Sequence, residues 1–251
     1  MIDLHTHLLP GVDDGSPSVD ASLPVLERFA SDGVELLVCT PHLRASDAAR
    51  APHREHSAIL ATLVARAPAR PRLELGWEIM LDVPGADLRA PELALAGSSA
   101  VLVEFPRAGL PVGAAQELYR LRMSGIVPLV AHPERYSGCT VTAVTEWRRI
   151  GAAIQMDAAG LLGHPPMALL ARSFLEAGLV DCIASDNHGD ARSLASARDW
   201  LTELGAIEQA RLLTQVNAAR LLANEAPLPV APVRIRRGAL GRLKEMLLGR
   251  R

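Results

Sequence analysis

The sequence contains few aromatic residues, carries almost no net charge and lacks long apolar runs. Phe, Trp and Tyr make up 3% of its 251 residues, which argues against the stacking surfaces that bind single-stranded nucleic acid. The formal net charge of −2 offers no general attraction to nucleic acid, so we expect no such partner. No window approaches the roughly 18 apolar residues of a membrane span, and no basic segment leads into an apolar run at the N-terminus. We therefore expect a cytoplasmic protein without a signal peptide.

Cysteine is also scarce, and its spacing excludes two kinds of chemistry. Cys39, Cys139 and Cys182 are far apart and odd in number, which predicts reduced thiols rather than a disulfide framework or a Cys-x-x-Cys zinc site. Cysteine-dependent tyrosine phosphatases need a Cys-x5-Arg motif. The residues that would have to be arginine are Ala45, Thr145 and His188. The Gly-x-Ser-x-Gly turn of serine hydrolases is absent too, so neither nucleophile is predicted.

Short apolar runs alternate with helical patterns along a chain that is 49% hydrophobic, enough for a sizeable core. Most runs are continuous, which is typical of parallel strands buried on both faces. The predicted strands lie at 1–5, 34–40, 72–80, 100–105, 127–132, 152–157 and 180–185. The predicted helices lie at 18–33, with Gly33 as C-cap, and at 47–67, 113–124, 141–150, 165–177, 192–203, 206–213 and 215–223. Seven β-α units favour an α/β barrel, with a doubly wound sheet as the alternative.

The composition changes near the C-terminus. We find no internal repeat and no boundary before residue 225, which predicts one domain over 1–225 and a proline-spaced basic tail over 226–251. The tail holds seven Arg or Lys residues against one Glu. Its apolar residues at helical spacing are Leu240, Leu243, Met246 and Leu247. Three interpretations stay open, namely a solvated tail, an oligomer contact and a short amphipathic helix on an anionic membrane surface.

Six of the seven predicted strands end in a histidine or an acidic residue. These residues are His5 and His7, His42, Glu78, Glu104, His132, and Asp186 with His188. Because the carboxyl ends of parallel strands lie at one face of the sheet or barrel, we expect these side chains to converge. Burying so many ionisable groups together is costly unless cations bind among them. We expect the other histidines, His53, His56 and His164, to be ordinary surface residues.

The ligand types narrow the choice of metal. Imidazoles and carboxylates without thiolates suit Mn, Fe, Zn or a mixture of Mg and Mn, and argue against a structural cysteine-rich zinc site. In the His5-x-His7 pair both side chains point to one face of the strand, so they can share one ion. The two oxygens of Glu78 could bridge neighbouring ions.

Several motifs resemble those of the polymerase and histidinol phosphatase (PHP) superfamily, and especially its bacterial capsule-type tyrosine phosphatases. The motifs, in chain order, are MIDLHTHLLPGVDDGS, TPH, GWEIM, VLVEFP, AHPERY and ASDNHGD. The resemblance covers roughly residues 1–223 and excludes the basic tail. It implies a distorted (β/α)7 barrel that holds three divalent metal ions, with Mn²⁺ as the expected metal.

The resemblance also implies how the ligands are shared. One ion would be held by His5, His7, Glu78 and Asp186, the second by Glu78, Glu104 and His132, and the third by Asp14, His42 and His188. Arg135 and Arg192 would grip phosphate oxygens as cationic catalytic residues. Asp13 is either a further acidic ligand or a turn residue before Gly15. Asp3 is either a partner of a metal-bound imidazole or a surface strand residue.

The function implied is phosphomonoester hydrolysis by a hydroxide that bridges metal ions. The expected substrate is a phosphotyrosine protein, namely a bacterial tyrosine autokinase of capsule or exopolysaccharide biosynthesis. Three alternatives stay open: a small-molecule phosphatase such as a histidinol phosphatase, a metal-dependent nuclease or proofreading module, and a non-enzymatic scaffold. The acidic body argues against the nuclease. The sequence leaves the oligomeric state open.

Overall fold

The structure is a computed structural model that describes residues 1–235, and this part of the chain contains nine β-strands. Their bounds are β1 Ile2–Thr6, β2 Leu36–Cys39, β3 His42–Arg44, β4 Arg72–Leu75, β5 Glu78–Met80, β6 Ala100–Glu104, β7 Val127–Val130, β8 Ala153–Asp157 and β9 Cys182–Ala184. They form two parallel sheets, ordered β1-β2-β4 and β3-β5-β6-β7-β8-β9. The predicted parallel α/β arrangement is confirmed.

The two sheets join into one barrel of seven extended segments. β2 and β3 are successive parts of one extended segment, as are β4 and β5, so the predicted strands 34–40 and 72–80 are each interrupted. Pro41 lies at the first interruption and lacks an N–H for the ladder. β9 meets β1 through a bridge between Thr6 and Asn187, and the Asp186 N–H donates to the His5 carbonyl at 3.0 Å. The closed ring matches the expected (β/α)7 barrel rather than a doubly wound sheet.

Helices surround the barrel. The α-helices are α1 Val19–Asp32, α2 His53–Val64, α3 Ala114–Met123, α4 Val141–Arg149, α5 Ala158–Leu162, α6 Met167–Glu176, α7 Leu194–Glu203, α8 Ile207–Arg211 and α9 Asn217–Leu222. Short 3₁₀ helices lie at Ala45–Arg50, Pro91–Leu93, Leu95–Gly97 and Pro133–Arg135. Ser18 caps α1 by accepting from the Ala21 N–H, and Gly33 ends it with φ 86°. The predicted C-cap is therefore confirmed, because glycine adopts this left-handed conformation without strain.

The helix predictions were wrong in three places. A break was predicted between 206–213 and 215–223, but a π-helix over Leu212–Val216 joins α8 to α9, and the residues at its two ends keep helical dihedrals. The predicted helix 47–67 is a 3₁₀ turn followed by α2, because Pro52 occupies the N-cap position of α2. The helix α5 was not predicted.

α9 and the segment after it close the amino-terminal end of the barrel. The Asn217 side chain donates to the Asp181 carbonyl at 2.9 Å, just before β9. The Ser99 N–H donates to Asn224 Oδ1 at 2.6 Å, just before β6. The opposite end, where the strands have their carboxyl termini, is left to the loops that carry the predicted ligands.

The hydrophobic core has two parts. A smaller cluster of strand residues, which includes Leu102 and Leu129, is completed by α9. A larger cluster joins the strands to the surrounding helices. His56 was predicted at the surface, but it is 8% exposed and its ring stacks on Trp77 at a centroid distance of 4.7 Å. The error arose because α2 presents this histidine inward, to a tryptophan that is distant in sequence.

The first residues of the basic tail pack against the barrel. Val230 and Val233 are buried, and the Val233 N–H donates to the Leu175 carbonyl at 3.0 Å. The amphipathic helix and membrane contact proposed for the rest of the tail lie outside the described residues. Every helix within residues 1–235 is too short or too polar to reach across a lipid bilayer.

Candidate metal centre

The nine predicted ligands lie together at the carboxyl ends of the strands. β1 supplies the first histidine, and the turn after it supplies the second histidine and the first aspartate. β3, β5 and β6 supply the next three residues, and the segments after β7 and β9 supply the last three. The residues are His5, His7, Asp14, His42, Glu78, Glu104, His132, Asp186 and His188. Their donor atoms fall into four overlapping groups, and the atoms within each group all lie within 4.8 Å of one another.

The three predicted ligand sets, named here the first, second and third group, cut across these four. The first group brings four buried atoms close together. The Nε2 atoms of His5 and His7 lie 3.2 Å apart. Asp186 Oδ1 lies 3.2 Å from the first nitrogen and 3.3 Å from the second. Glu78 Oε2 lies 3.4 and 3.3 Å from the same two nitrogens. Two imidazoles and two carboxylates therefore face one point.

Neighbouring acceptors fix the proton positions on these two imidazoles. His5 Nδ1 donates to Gln155 Oε1 at 3.0 Å, and the amide of Gln155 is oriented because its Nε2 donates to Asp157 Oδ1 at 3.0 Å. His7 Nδ1 donates to Asp13 Oδ2 at 2.7 Å. With Nδ1 protonated, each neutral imidazole presents the lone pair of Nε2. Four electron-pair donors then meet without a proton between them, which is an arrangement that a cation stabilises.

Glu78 connects the first group to the second. Its Oε1 lies 2.7 Å from His132 Nε2, whereas its Oε2 belongs to the first group. Oε2 also lies 2.9 Å from His42 Nδ1, yet it is buried and has no hydrogen-bond partner among residues 1–235. Glu104 Oε2 lies 3.9 Å from His132 Nε2. A buried carboxylate oxygen that lies beside three imidazole nitrogens and makes no hydrogen bond within residues 1–235 is suited to bind a cation.

The third group lies nearest the solvent. His42 Nε2 lies 3.2 Å from Asp14 Oδ1, and His188 Nε2 lies 3.6 Å from the same oxygen. The Asp14 side chain is 71% exposed, in contrast to the buried first group. The His7 and His188 rings stack at a centroid distance of 4.1 Å, which joins this group to the first. A metal ion held here would face the solvent.

The electrostatics of the centre favour bound positive charge. Burial alone would lower the pKa of His5, but the carboxylates of Glu78 and Asp186 outweigh it and raise the pKa to about 9. Burial would raise the pKa of Glu78, but the charge of His5 and the hydrogen bond between His132 and Oε1 hold it well below the usual range. Burial and the charge of Glu78 raise the pKa of Glu104. The acidic groups thus repel one another except where a positive group intervenes.

Unusual backbone conformations aim two of the ligands. His132 has φ 31° and Asp186 has φ 48°, in the left-handed region that side chains other than glycine rarely adopt. Gly15 permits the turn after His7 to pack closely, because a Cβ there would lie 2.1 Å from the His7 carbonyl oxygen. Local strain and close packing therefore occur at the ligands themselves.

The two predicted arginines meet at one carboxylate. Arg135 Nη2 lies 2.7 Å from Asp186 Oδ2, and Arg192 Nη1 lies 3.2 Å from the same oxygen. Arg135 also contacts Asp157 Oδ2, and Arg192 Nε lies 2.7 Å from Asp190 Oδ2. Asp186 thus faces the histidines with one oxygen and the arginines with the other.

Sequence reasoning missed two residues of β8, the strand to which it assigned no ligand. Gln155 orients His5, and the fully buried Asp157 contacts Arg135. Glu134 accepts from the Asp157 N–H at 2.8 Å, and burial together with Asp157 raises its pKa to about 8. A signal was present, since both β8 residues occupy alternate positions near a strand end.

Of two acidic residues near the N-terminus, Asp13 has the predicted turn role and Asp3 has neither of its predicted roles. Asp13 both orients His7 and accepts from the Gly15 N–H at 3.0 Å, so it combines a turn with imidazole orientation. Asp3 is buried and accepts from the backbone N–H groups of Ser185 and His5, at 3.1 and 3.3 Å. It is therefore neither a surface residue nor an imidazole partner.

The fold and the site define this protein as a PHP-type α/β barrel with a candidate metal centre. The model of one protein family, described as capsular polysaccharide synthesis CpsB/CapC, matches residues 1–223. The chain belongs to this family.

Named relatives and a solved structure agree with this assignment. Tyrosine-protein phosphatase YwqE of Bacillus subtilis is 29% identical over 196 residues, which cover 75% of this chain and 77% of that protein. Tyrosine-protein phosphatase CpsB of Streptococcus agalactiae is 29% identical over 243 residues, or 89% and 99% of the two chains. The crystal structures of YwqE from B. subtilis and CpsB from Streptococcus pneumoniae, called unique metal-dependent tyrosine phosphatases, include a chain with a TM-score of 0.75 at 25% identity, covering 94% of this chain and 100% of that one.

Proposed function

We propose that this protein is a metal-dependent protein-tyrosine phosphatase. The observation that carries the proposal is the convergence of four donor atoms. The Nε2 atoms of His5 and His7 lie close together, and one oxygen each of Glu78 and Asp186 lies within 3.4 Å of both nitrogens. Such a donor set suits a divalent cation with nitrogen and oxygen preference. The named tyrosine phosphatases among the relatives support the reaction.

We assign three ions to three sets of ligands. The first set is His5, His7, Glu78 and Asp186; the second is Glu78, Glu104 and His132; the third is Asp14, His42 and His188. Bound divalent ions would polarise the phosphoryl oxygens and bring the pKa of a water toward about 7, so that hydroxide is present at neutral pH. We propose Mn²⁺ as the metal in the cell. The imidazole and carboxylate ligands suit Mn²⁺, and Fe and Zn are the alternatives that analysis of the bound metal distinguishes.

Arg135 and Arg192 complete the site by binding the transferred phosphoryl group. Both guanidiniums lie against Asp186 Oδ2, on the side of this carboxylate that faces away from the histidines. A fork of N–H donors there can grip two phosphoryl oxygens and stabilise the charge that develops on them.

An aryl phosphate suits these groups. The phenol leaving group has a pKa of about 10, so departure requires less help from a general acid than departure of an alkyl alcohol. The thiols offer no competing route, because Cys39, Cys139 and Cys182 are all buried. Burial raises the pKa of Cys39 and of Cys139 to about 12.

The substrate we propose is a phosphotyrosine protein, namely a tyrosine autokinase of capsule or exopolysaccharide synthesis. We propose that the reaction takes place in the cytoplasm. The family description, capsular polysaccharide synthesis, supports that setting.

A substrate panel tests the function. Purified protein with manganese is incubated with a phosphotyrosine peptide, histidinol phosphate or single-stranded DNA, with and without a chelator. We expect chelator-sensitive release of phosphate from the peptide. Rapid turnover of histidinol phosphate without turnover of the peptide would make the protein a small-molecule phosphatase, and cleavage of DNA alone would make it a nuclease.

A further inference from the structure

A cleft of about 750 Å³ opens directly beside the candidate metal centre. Asp14, His42 and Glu104 belong to both, so whatever occupies the cleft is continuous with a group bound at the ions. The part of the cleft beyond these ligands is formed by the ends of β3 and β5 and by the loop after β6.

Strand register places the outer residues of the cleft. Arg44 pairs with Met80, and Met80 pairs with Glu104, which gives one row across three parallel strands. Arg44 follows His42 by two residues, as Met80 follows Glu78, so each points to the same face as the ligand before it. Arg44 and Met80 therefore lie two residues farther toward the mouth of the barrel than the paired ligands His42 and Glu78.

The wall of this outer part is apolar. Leu43, Met80, Pro106 and Ala108 line it. A flat aromatic ring attached to a phosphate at the ions would have an apolar surface to cover here, and a methionine favours contact with ring edges.

Two arginines beside this wall interact with carboxylates only at longer range, Arg44 with Asp82 and Arg107 with Glu104. Arg44 and Arg107 line the cleft and are exposed, and within residues 1–235 neither guanidinium makes an ion pair or a hydrogen bond. Asp47 also lines the cleft, but it pairs with Arg50 at 3.0 Å. An apolar patch flanked by two unpaired guanidiniums is complementary to an aromatic residue with acidic neighbours.

We propose that the cleft binds the phosphotyrosine ring over Met80 and selects peptides with Asp or Glu next to the phosphotyrosine, through Arg44 and Arg107. This inference rests on the proposed phosphatase function and names the substrate class that the same site prefers.

The experiment compares phosphotyrosine peptides that differ only in flanking residues, which are Glu, Gln or Lys, with 4-nitrophenyl phosphate as a substrate without flanks. The readout is the ratio of kcat/KM for the Glu peptide to kcat/KM for the Gln peptide. Effects on the binding or hydrolysis of the phosphate itself are common to both peptides and cancel in this ratio. We expect a ratio of roughly three to ten for the wild type, since two exposed charge pairs are each modest. The double variant Arg44→Gln/Arg107→Gln should bring the ratio to about one. Because both peptides are measured with the same variant, a change in its general activity does not affect this ratio.

A matched control removes two positive charges at the other end of the barrel. Arg70 and Arg72 lie before and at the start of β4 and pair with Glu35 and Glu74. The variant Arg70→Gln/Arg72→Gln should keep the wild-type ratio. The charge-reversed variant Arg44→Glu/Arg107→Glu should prefer the Lys peptide.

The outcomes separate the two claims. A wild-type ratio near one, or a ratio that survives both cleft variants, overturns the acidic preference and leaves the phosphatase function standing. Absence of turnover with every phosphotyrosine peptide and with 4-nitrophenyl phosphate overturns the proposed function, and the preference falls with it.

Discussion

Replacing Asp157 by Asn is expected to impair the reaction without removing the metals. The fully buried Asp157 contacts Arg135 with Oδ2 and accepts from Gln155 Nε2 with Oδ1 at 3.0 Å. An asparagine has nearly the same volume but a single acceptor oxygen, so it can serve only one of the two donors. If it keeps the glutamine, its NH₂ group faces the guanidinium, and Arg135 is held by Asp186 alone.

The magnitude follows from the contact that is lost. Breaking a buried pair by removing one charge costs about 3–5 kcal/mol, but the second carboxylate remains. A loss of about 2 kcal/mol, typical of one hydrogen bond to a charged group, is therefore the expected destabilisation. If the placement of Arg135 in the transition state suffers equally, kcat falls roughly thirtyfold.

The assay has three readouts: kcat and KM on 4-nitrophenyl phosphate, bound manganese per chain, and urea unfolding. The control is Asp181→Asn. Asp181 is also buried and pairs with an arginine, Arg148, at 2.8 Å, but at the start of β9, on the opposite end of the barrel. It should lose similar stability while kcat stays within about twofold.

Two outcomes would refute the reasoning about Asp157. An unchanged kcat would mean that this carboxylate does not position Arg135. A parallel loss of manganese and activity would mean that the effect runs through Gln155 and His5. In a double-mutant cycle with Arg135→Lys, the two losses should also be far from additive if Asp157 acts through this arginine.

Four shorter predictions concern the centre and the tail. Gly15→Ala should lower the free energy of unfolding by about 1–3 kcal/mol and reduce bound manganese, because its Cβ would lie 2.4 Å from the His7 Cβ. Gly109→Ala, whose Cβ would have no atom within 4 Å, should change neither quantity in calorimetry and metal analysis. His132→Ala should abolish phosphate release while circular dichroism stays native, and full turnover would remove this residue from the ligand set. Chelation should lower the melting temperature and manganese should restore it, because ions that bind the folded chain stabilise it; an unchanged melting temperature would speak against a metal centre. Deleting 236–251 should leave hydrolysis of 4-nitrophenyl phosphate intact, and its loss would show that the tail contributes to the site.

The elements that the sequence predicts well are those whose signal is local. The strands were predicted because each is a short continuous apolar run, and the ligands because they follow these runs. Their convergence needed one further fact, that parallel strands present their carboxyl ends together. His5 and His188 could therefore be placed in one region from opposite ends of the chain.

The elements that the sequence predicts poorly depend on distant partners. Gln155 and Asp157 look like ordinary polar residues of a strand, and only the packing of β8 beside His5 and Arg135 gives them their contacts. His56 looks like a surface residue of a helix until Trp77 is placed beneath it. The two predicted helices at 206–213 and 215–223 were not recognised as one continuous helical run, because the π turn at Leu212–Val216 shifts the apolar periodicity by one residue.

The division of Asp186 between two sets of partners links binding to chemistry. Its Oδ1 lies with the imidazoles of His5 and His7, and its Oδ2 lies with Arg135 and Arg192. Under the proposed function, a phosphoryl group held by the two guanidiniums would lie next to this carboxylate and would draw both arginines partly away from it. The arginines would then exchange one anionic partner for another, and because Asp186 already orients their charge, little reorganisation would be needed. Such an exchange would need a second carboxylate that keeps Arg135 in place as its contact with Asp186 weakens, and the contact with Asp157 would fill this role.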